Sequence, residues 1–325
     1  MRLIKADRLT AFDDYHIVEV DTPEPGEGEV LIQIAACSVG YVDALTALGG
    51  YQVKPPLPFT PGGEVSGVVA SLGPGAPADL LGVAVSAYVS GGGFRDYAVC
   101  PARAVTPVPR AMSAEQAAVF RTNFATALHG LSDRGRLQPG ERLLVMGAAG
   151  GVGLAAVQLG RRLGAEVIAV GSTPEKRDFA ARHGAHHALD VQPEGWRDRL
   201  KAITGGKGVD VVYDPVCGPL FELAFRSLAW RGRHLVVGFV GGPIPALPAN
   251  LTLMKGADLI GVDIRQFGLF EGARAKANQD QLHDWLADGS LVPAVGQIFR
   301  FEQFREALAH AMSGQGLGKA VLVMD

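Results

Sequence analysis

One stretch of this sequence has the residue types and spacing to hold a diphosphate: Gly147-Ala148-Ala149-Gly150-Gly151-Val152-Gly153. It follows the apolar run Leu143-Leu144-Val145-Met146. It opens a segment, Val152 to Leu163, whose apolar spacing is helical and which Gly164 ends. A strand, a glycine turn and a helix N-terminus in that order aim backbone N–H groups and the positive end of a helix dipole at one point. Anionic oxygens reach those groups only where no side chain intervenes, which Gly150 and Gly151 allow, with the Ala149 and Val152 backbone on either side. Gly153 lets the helix pack closely on the strand. Ala148 stands where the stricter pattern has its first glycine. A glycine turn without a ligand is the alternative, and the strand–turn–helix context favours a dinucleotide.

The end of the next strand discriminates between dinucleotides. An NAD site needs a carboxylate there, about 20 residues past the loop, to accept hydrogen bonds from the ribose 2′-hydroxyl. Here the strand ends Val170-Gly171-Ser172-Thr173, and Gly171 occupies the acid position. A 2′-phosphate is instead favoured by the hydroxyls of Ser172 and Thr173, by a helix N-terminus, and by the cations Lys176 and Arg177 one turn on. Either cation alone could be an ordinary solvated helix residue, so the missing acid is the stronger half. The expected cofactor is NADPH.

The elements that must position this loop are of two kinds. The first third reads as short strands with Gly and Pro punctuation: Val30 to Ile34, Val65 to Ala70 and Val83 to Val89. Near Ser113 the pattern changes, with Ser113 as a helix cap and Gln116 three residues on. Strands and helices then alternate. Strands are expected at Arg142 to Met146, Glu166 to Val170, around Ala188-Leu189, at Val209 to Tyr213, His234 to Phe239 and Leu259 to Ile264. Helices begin at Thr173-Pro174 and run from Trp196 to Thr204, closed by Gly184 and by Gly205-Gly206. Repeated βα units of this spacing imply an α/β fold with a doubly wound parallel sheet. Helical spacing from Phe301 to Met312 and a strand-like Ala320 to Met324 follow.

Bulk properties narrow the function classes. The 325 residues suggest two domains, and 48% hydrophobic content allows substantial cores. A net charge of −3 argues against nucleic-acid or anionic-membrane partners. Cys37, Cys100 and Cys217 are too few and too scattered for a disulfide framework or a cysteine-rich zinc knuckle. No stretch reaches the length of a membrane span, and a reducing, cytoplasmic setting is expected.

Several longer stretches resemble one family. They are Tyr51-Gln52-Val53-Lys54-Pro55-Pro56-Leu57-Pro58-Phe59, Pro61-Gly62-Gly63-Glu64-Val65-Ser66-Gly67-Val68-Val69, residues 137–158, Gly208 to Val216, and Gly318-Lys319-Ala320-Val321-Leu322. In this order they resemble the quinone oxidoreductase branch of the medium-chain dehydrogenase/reductase superfamily, over nearly the whole chain. The resemblance implies a GroES-like β-rich catalytic domain, expected at 1–113 and 265–325, and a Rossmann NADPH-binding domain at 114–264. It also implies a cofactor in the cleft between them and a homodimer or tetramer, with the dimer expected here.

Alcohol dehydrogenases of that superfamily hold a catalytic zinc through Cys, His and Cys, which must converge with one position open. On this chain Gly40 takes the first ligand position and Gly63 the second, and Arg121-Thr122-Asn123 offers neither Cys nor His for the third. Cys37 lies three residues before the first position and reads as a small buried hydrophobe. No metal is expected. Without a Lewis acid the acceptor must take a hydride readily, as quinones and electron-poor enones do.

Tyr51 matches a substrate-lining tyrosine of the branch, and Tyr41 lies beside the vacated metal position. Thr126 matches a threonine near the nicotinamide and phosphates. Gly238, Phe239, Val240 and Val262 end later strands and are expected to border the nicotinamide. Lys319 is expected to fold back toward the cofactor. Arg121 is unusual in an apolar segment; it either faces the cleft and suits an anionic or carbonyl-rich acceptor, or faces solvent. The leading expectation is an NADPH:quinone oxidoreductase. An NADPH-dependent enone or enoyl-thioester reductase, and a cofactor-binding module with a structural or RNA-binding role, are the alternatives.

Overall fold

A computed structural model of the chain describes residues 1–89 and 92–324. It forms two compact units, Met1–Arg121 with Pro293 onward, and Thr122–Val292. The first unit contributes β1 (Arg2–Lys5), β2 (His16–Glu19), β3 (Glu29–Val39), α1 (Tyr41–Ala47), β4 (Glu64–Leu72), β5 (Ala84–Tyr88), β6 (Tyr97–Pro101), β7 (Thr106–Pro107) and α2 (Ala114–Ala118). Helix α3 (Arg121–Leu128) begins at the boundary, and a π-helical stretch at His129–Arg134 follows it. The second unit alternates β8 (Arg142–Val145), α4 (Gly151–Arg162), β9 (Glu166–Val170), α5 (Pro174–Arg182), β10 (His187–Leu189), α6 (Trp196–Ile203), β11 (Val209–Asp214), α7 (Phe221–Arg226), β12 (Leu228–Val236), α8 (Asn250–Lys255) and β13 (Asp258–Gly261). It ends with α9 (Ile264–Phe270) and α10 (Gly272–Ala287), after which β14 (Val295–Arg300), α11 (Phe304–Ser313) and β15 (Lys319–Val323) rejoin the first unit.

In the first unit β3 is the hub. It pairs antiparallel with β15, β4 and β6. Its apolar residues Val30, Ile32 and Ile34 lie in a core with Tyr15, Phe94, Phe301 and Phe304. The pairing of Ala320 with Val39 brings the start of β15 alongside the turn into α1. The C-terminal segment thereby completes the lobe that the N-terminal segment begins.

In the second unit all sheet pairings are parallel, in the order β10-β9-β8-β11-β12-β13. A parallel sheet covered by helices on both faces requires strands that are apolar throughout, which explains Leu143–Val145 and Val167–Val170, all buried. From β8 the chain winds outward to β10, then crosses back to β11 and winds the other way. The carboxyl ends of β8 and β11 therefore flank the switch point where doubly wound sheets bind ligands.

Three expectations are corrected here. Strand β12 spans Leu228–Val236 instead of running on to Phe239; beyond it the Gly241 amide bonds back to the Val216 carbonyl (2.8 Å), which turns the chain across the strand ends. Strand β13 stops at Gly261 because Asp263 caps α9, its Oδ1 accepting from the amides of Arg265 and Gln266, both at 3.0 Å. The unit boundaries fall at 121/122 and 292/293 in place of 113/114 and 264/265. Helix α2 packs on the β-rich lobe through Ala118, which clusters with Ala36 and Val321. Helix α10 is held to the second unit by Asp133, which takes Arg274 Nη2 at 2.6 Å and Asn278 Nδ2 at 2.9 Å. The His129 ring stacks on Phe267 at 3.8 Å between centroids, and Gln158 pairs with the Val292 backbone.

Arg233 on β12 is the buried ion-pair anchor of the second sheet. Its guanidinium grips both Glu141 oxygens (2.8 and 2.7 Å), and its Nε donates to the Gly135 carbonyl at 2.8 Å. Burial alone would raise the Glu141 carboxyl; the Arg233 hydrogen bonds, the Gln138 amide and the Arg233 charge outweigh it and hold the group below its ordinary value. A depressed carboxylate stabilises the fold above its unfolded-state value and loses that contribution as pH falls through the folded value. Denaturant titrations should therefore show R233M less stable by about 3 kcal/mol at neutral pH, and E141Q with a flatter loss of stability on acidification than the wild type. Equal acid slopes would show that the pair does not control the acid limb.

Candidate functional site

The glycine loop leaves β8 and enters α4. Gly147 has a left-handed φ of +59°, and its carbonyl accepts the Gly150 amide at 3.1 Å. The Ala148 amide donates to Val170 O at 3.1 Å, so the loop is fastened to the end of β9 and Ala148 itself is buried. Gly153 is the close approach: a β-carbon there would stand 2.2 Å from the Gly147 carbonyl oxygen. The contact is with the loop's own backbone, so helix and turn close on each other and not on the strand alone.

At Gly150 a β-carbon would meet nothing nearer than 3.6 Å, so the outer side of the loop is open. Gly150 is the α4 cap and carries no side chain to satisfy the first-turn amides. These features fit a diphosphate against the amides of Gly151, Val152 and Gly153. The Asn123 side chain also reaches this terminus, its Nδ2 lying 2.8 Å from where a β-carbon on Gly151 would be. Sequence reasoning missed Asn123. Its amide type is compatible with a polar ligand, but no spacing marked it.

The corner after β9 brings Gly171, Ser172, Thr173, Lys176 and Arg177 together. The Gly171 amide bonds to Leu189 O at 3.0 Å, and its carbonyl accepts Arg177 Nη1 at 3.0 Å. Thr173 caps α5 by accepting the Lys176 amide, and Pro174 follows at the first position. Lys176 Nζ lies 3.2 Å from Ser172 Oγ, and its ammonium is lowered by burial. A β-carbon at residue 171 would meet Arg177 and Lys176 atoms at 3.1–3.2 Å, so the two basic side chains crowd the space a longer residue would need. Asp190, beyond β10, is the nearby acid, and Arg199 Nη2 takes it at 2.9 Å.

The remaining expected cofactor residues of the second unit lie along the carboxyl ends of the strands or in α3, whereas Lys319 opens β15 in the first unit. Val216 packs on Gly147 and Gly241, while Gly238 approaches the Pro215 carbonyl. Phe239 and Val240 are exposed and Val262 is buried. Thr126 is buried in α3, its hydroxyl donating to Thr122 O at 2.7 Å. Behind these ends Asp214 and His234 form a fully buried pair (3.1 Å), and Asp214 Oδ1 accepts the amides of Val216 and Cys217. This pair shapes the turn after β11, and the sequence carried no sign of it. His186 and His187 are strand-binding groups: His186 Nδ1 accepts the Val167 amide, and His187 pairs with Glu166.

The substrate-side candidates belong to the first unit. Tyr41 opens α1, directly after Gly40. Tyr51 acts electrostatically on Tyr88, the last residue of β5. Arg121 is half-buried and donates through Nη1 to Thr106 Oγ1 at 3.0 Å; burial lowers its guanidinium, and the Glu64 carboxylate acts against that. It is thus turned onto the β-rich lobe and away from the free solvent position that was one of its two expectations. Cys37 is buried between Gly62 and Gly93, as a small hydrophobe, and burial pushes its thiol up. Two of the three positions compared with zinc ligands, Gly40 and Gly63, are filled by other groups. Lys319 Nζ lies 2.2 Å from where a β-carbon on Gly40 would stand, and the Tyr88 ring lies 2.6–3.0 Å from that point on Gly63. Among the described residues no three His, Cys, Asp or Glu side chains are grouped as metal ligands.

Comparison with known proteins agrees with this architecture. Residues 26–110 match the alcohol dehydrogenase GroES-like domain, and residues 151–279 the family described as zinc-binding dehydrogenase. Quinone oxidoreductase-like protein 2 of Mus musculus is 34% identical over 94% of this chain and 88% of its own length. Quinone oxidoreductase of Homo sapiens is 30% identical, covering 99% of this chain and 98% of the human protein. The chain belongs to the quinone oxidoreductase branch of the zinc-free medium-chain dehydrogenase/reductase superfamily. Among solved structures, the quinone oxidoreductase of Thermus thermophilus, studied also in complex with NADPH, superposes with a TM-score of 0.83 at 30% identity over the full length of both chains.

A nicotinamide-dependent oxidoreductase of this branch depends on the Gly153 contact. G153A pushes a methyl into the Gly147 carbonyl, a clash of the kind that costs about 1–3 kcal/mol. Fluorescence titration with the nicotinamide cofactor should give a Kd raised about tenfold or more, and thermal unfolding should shift downward. Unchanged affinity would show that the loop does not carry the diphosphate.

Proposed function

We propose that this chain is an NADPH:quinone oxidoreductase that reduces its acceptor by metal-free hydride transfer. The observation that carries the cofactor preference is the corner after β9. No carboxylate stands at residue 171, two hydroxyls and two cations surround it, and the nearby Asp190 is neutralised by Arg199. A 2′-phosphate is attracted to such a corner, whereas a 2′-hydroxyl loses its usual acceptor. The cofactor supplies the hydride when bound. The chain's own residues hold its diphosphate on the α4 amides, hold its 2′-phosphate beside Ser172, Thr173, Lys176 and Arg177, and present Tyr51 and Tyr41 to the acceptor. Quinone as acceptor is supported by the names of the relatives and by the absence of three convergent ligand side chains at residues 40, 63 and 121–123, which leaves chemistry that needs no Lewis acid.

NADPH consumption with a panel of quinones, alkenals and enoyl thioesters tests the reading. Quinones should be turned over fastest, and G171D should reverse the preference toward NADH by at least tenfold in kcat/KM. Reaction with thioesters alone identifies an enoyl reductase instead. No turnover of any acceptor identifies a cofactor-binding module.

The quaternary reading is a homodimer joined at β13. This strand is the sheet edge, and beside it Trp230, Leu253, Met254 and Leu259 are exposed, Leu253 at 82%. An unpaired apolar edge of this kind suits a second copy of itself across a two-fold axis. Sedimentation velocity should give twice the 34.1 kDa chain mass, and L259K should shift the protein toward monomer. A monomeric wild type overturns this reading. The three cysteines are free and buried, which accords with work in a reducing, cytoplasmic setting, and no helix among the described residues is long and apolar enough to cross a membrane.

A further inference from the structure

The first unit contains a cationic niche made possible by two glycines. Lys319 opens β15 beside Gly40, and its side chain lies over the Gly40 α-carbon. A β-carbon there would stand 2.2 Å from Nζ and 3.2 Å from Cε. On the same side, Asp43 Oδ2 lies 3.2 Å from that point and accepts the Gly40 amide at 2.8 Å. The Lys319 ammonium is near Asp43 without being clasped by it. Among the described residues no carboxylate lies within 4.0 Å of Nζ, and Nζ donates no hydrogen bond to protein. An ammonium held half-buried, with its donors uncommitted, is arranged to meet an incoming acceptor of hydrogen bonds.

A hydroxyl donor takes the space at the second glycine, Gly63. Tyr88 pairs with Glu64 across β5 and β4, and its ring leans over Gly63, with Oη 3.0 Å from where a β-carbon on Gly63 would be. Asp43, Tyr51 and Glu64 all act on this phenol. Beneath them, the buried Cys37 thiol registers Asp43, Glu64, Lys319 and Arg95 together, and Arg121 acts on Glu64.

We propose that Lys319, with the Tyr88 hydroxyl, is the oxyanion-binding pair for the hydride acceptor, and that Gly40 is glycine so that the ammonium can occupy its position. This rests on the oxidoreductase reading above and names the catalytic group that replaces a Lewis acid. The acceptor gains a hydride from the cofactor at its electrophilic carbon, forming a C–H bond. Its carbonyl π pair moves to oxygen, and the resulting oxyanion is met by Nζ and Tyr88 Oη. An N–H bond of Lys319 then breaks as the acceptor O–H bond forms, and water returns the proton to the amine. Tyr51 flanks the acceptor ring, and Asp43 positions the ammonium.

Two measurements test the pair separately from the oxidoreductase reading. In the first, cofactor-free protein is titrated at fixed pH with 4-nitrophenol, whose ionised form carries an oxyanion on a ring. Wild type should bind the phenolate and raise its absorbance. K319M should abolish the rise, Y88F should reduce it, and K319R should restore part of it. In the second, quinone turnover by K319M should fall about a hundredfold in kcat, the scale of losing one oxyanion donor, with the Kd for NADPH within twofold of wild type. G40A keeps the charge but evicts the ammonium, so it should reproduce both losses with unchanged thermal stability. The proposal is overturned if K319M keeps phenolate binding, if it keeps its kcat, or if it loses NADPH affinity instead, which would make Lys319 a cofactor ligand. Phenolate binding that depends on Lys319 in a wild type that oxidises no NADPH would sink the oxidoreductase reading and leave an oxyanion site.

Discussion

The second unit is organised around one close approach, Gly153 against the Gly147 carbonyl. It draws the first turn of α4 onto the loop, so the helix N-terminus projects at the carboxyl end of β8. The Ala148 amide fixes the same loop to β9, and Val216 fixes it to β11. Three strand ends are thereby locked around a helix terminus whose amides have no capping side chain. Unsatisfied amides at a helix start are costly unless water or an anion meets them, which is the physical basis for the diphosphate site proposed above.

Around this point the chain places supports of graded strength. The buried Asp214–His234 pair lies at the carboxyl end of β11, and the bidentate Arg233–Glu141 pair ties β12 to the amino end of β8; desolvation makes the geometry of both stringent. The corner after β9, proposed above to meet the 2′-phosphate, is more exposed and is made of short-range contacts between Gly171–Thr173 and the start of α5. Its discrimination is accordingly electrostatic and local. A rigid floor and an adaptable rim are the arrangement expected where binding must be tight at the diphosphate and selective at the ribose.

In the β-rich unit glycine has a different use. Gly40 and Gly63 do not serve turns; they make space for Lys319 and Tyr88, side chains contributed by distant strands. Their φ values are ordinary, so conformational freedom does not explain them. What a missing β-carbon provides there is volume, and the groups that take that volume are both hydrogen-bond donors. An ammonium and a phenol in place of a metal are consistent with chemistry on acceptors that already delocalise charge.

Much of this was legible in the sequence, because its signals are local. The loop, its flanking strand and helix, the Ser113–Gln116 and Thr173–Pro174 caps, and the absence of an acid at Gly171 all depend on residues within one βα unit. Periodicity and steric demand act at that range. The rest was decided by tertiary structure. That Arg121 turns to Thr106, that Asn123 meets Gly151, that α10 anchors on Asp133, and that Lys319 fills the space at Gly40 are pairings across tens to hundreds of residues. No spacing rule encodes them, since they arise only when sheet order and register bring separate strands side by side. The sequence alone therefore determined the glycine loop and the acid-free corner of the second unit, because both are local, and only the folded β-rich unit decided that Lys319 and Tyr88 take the space at Gly40 and Gly63.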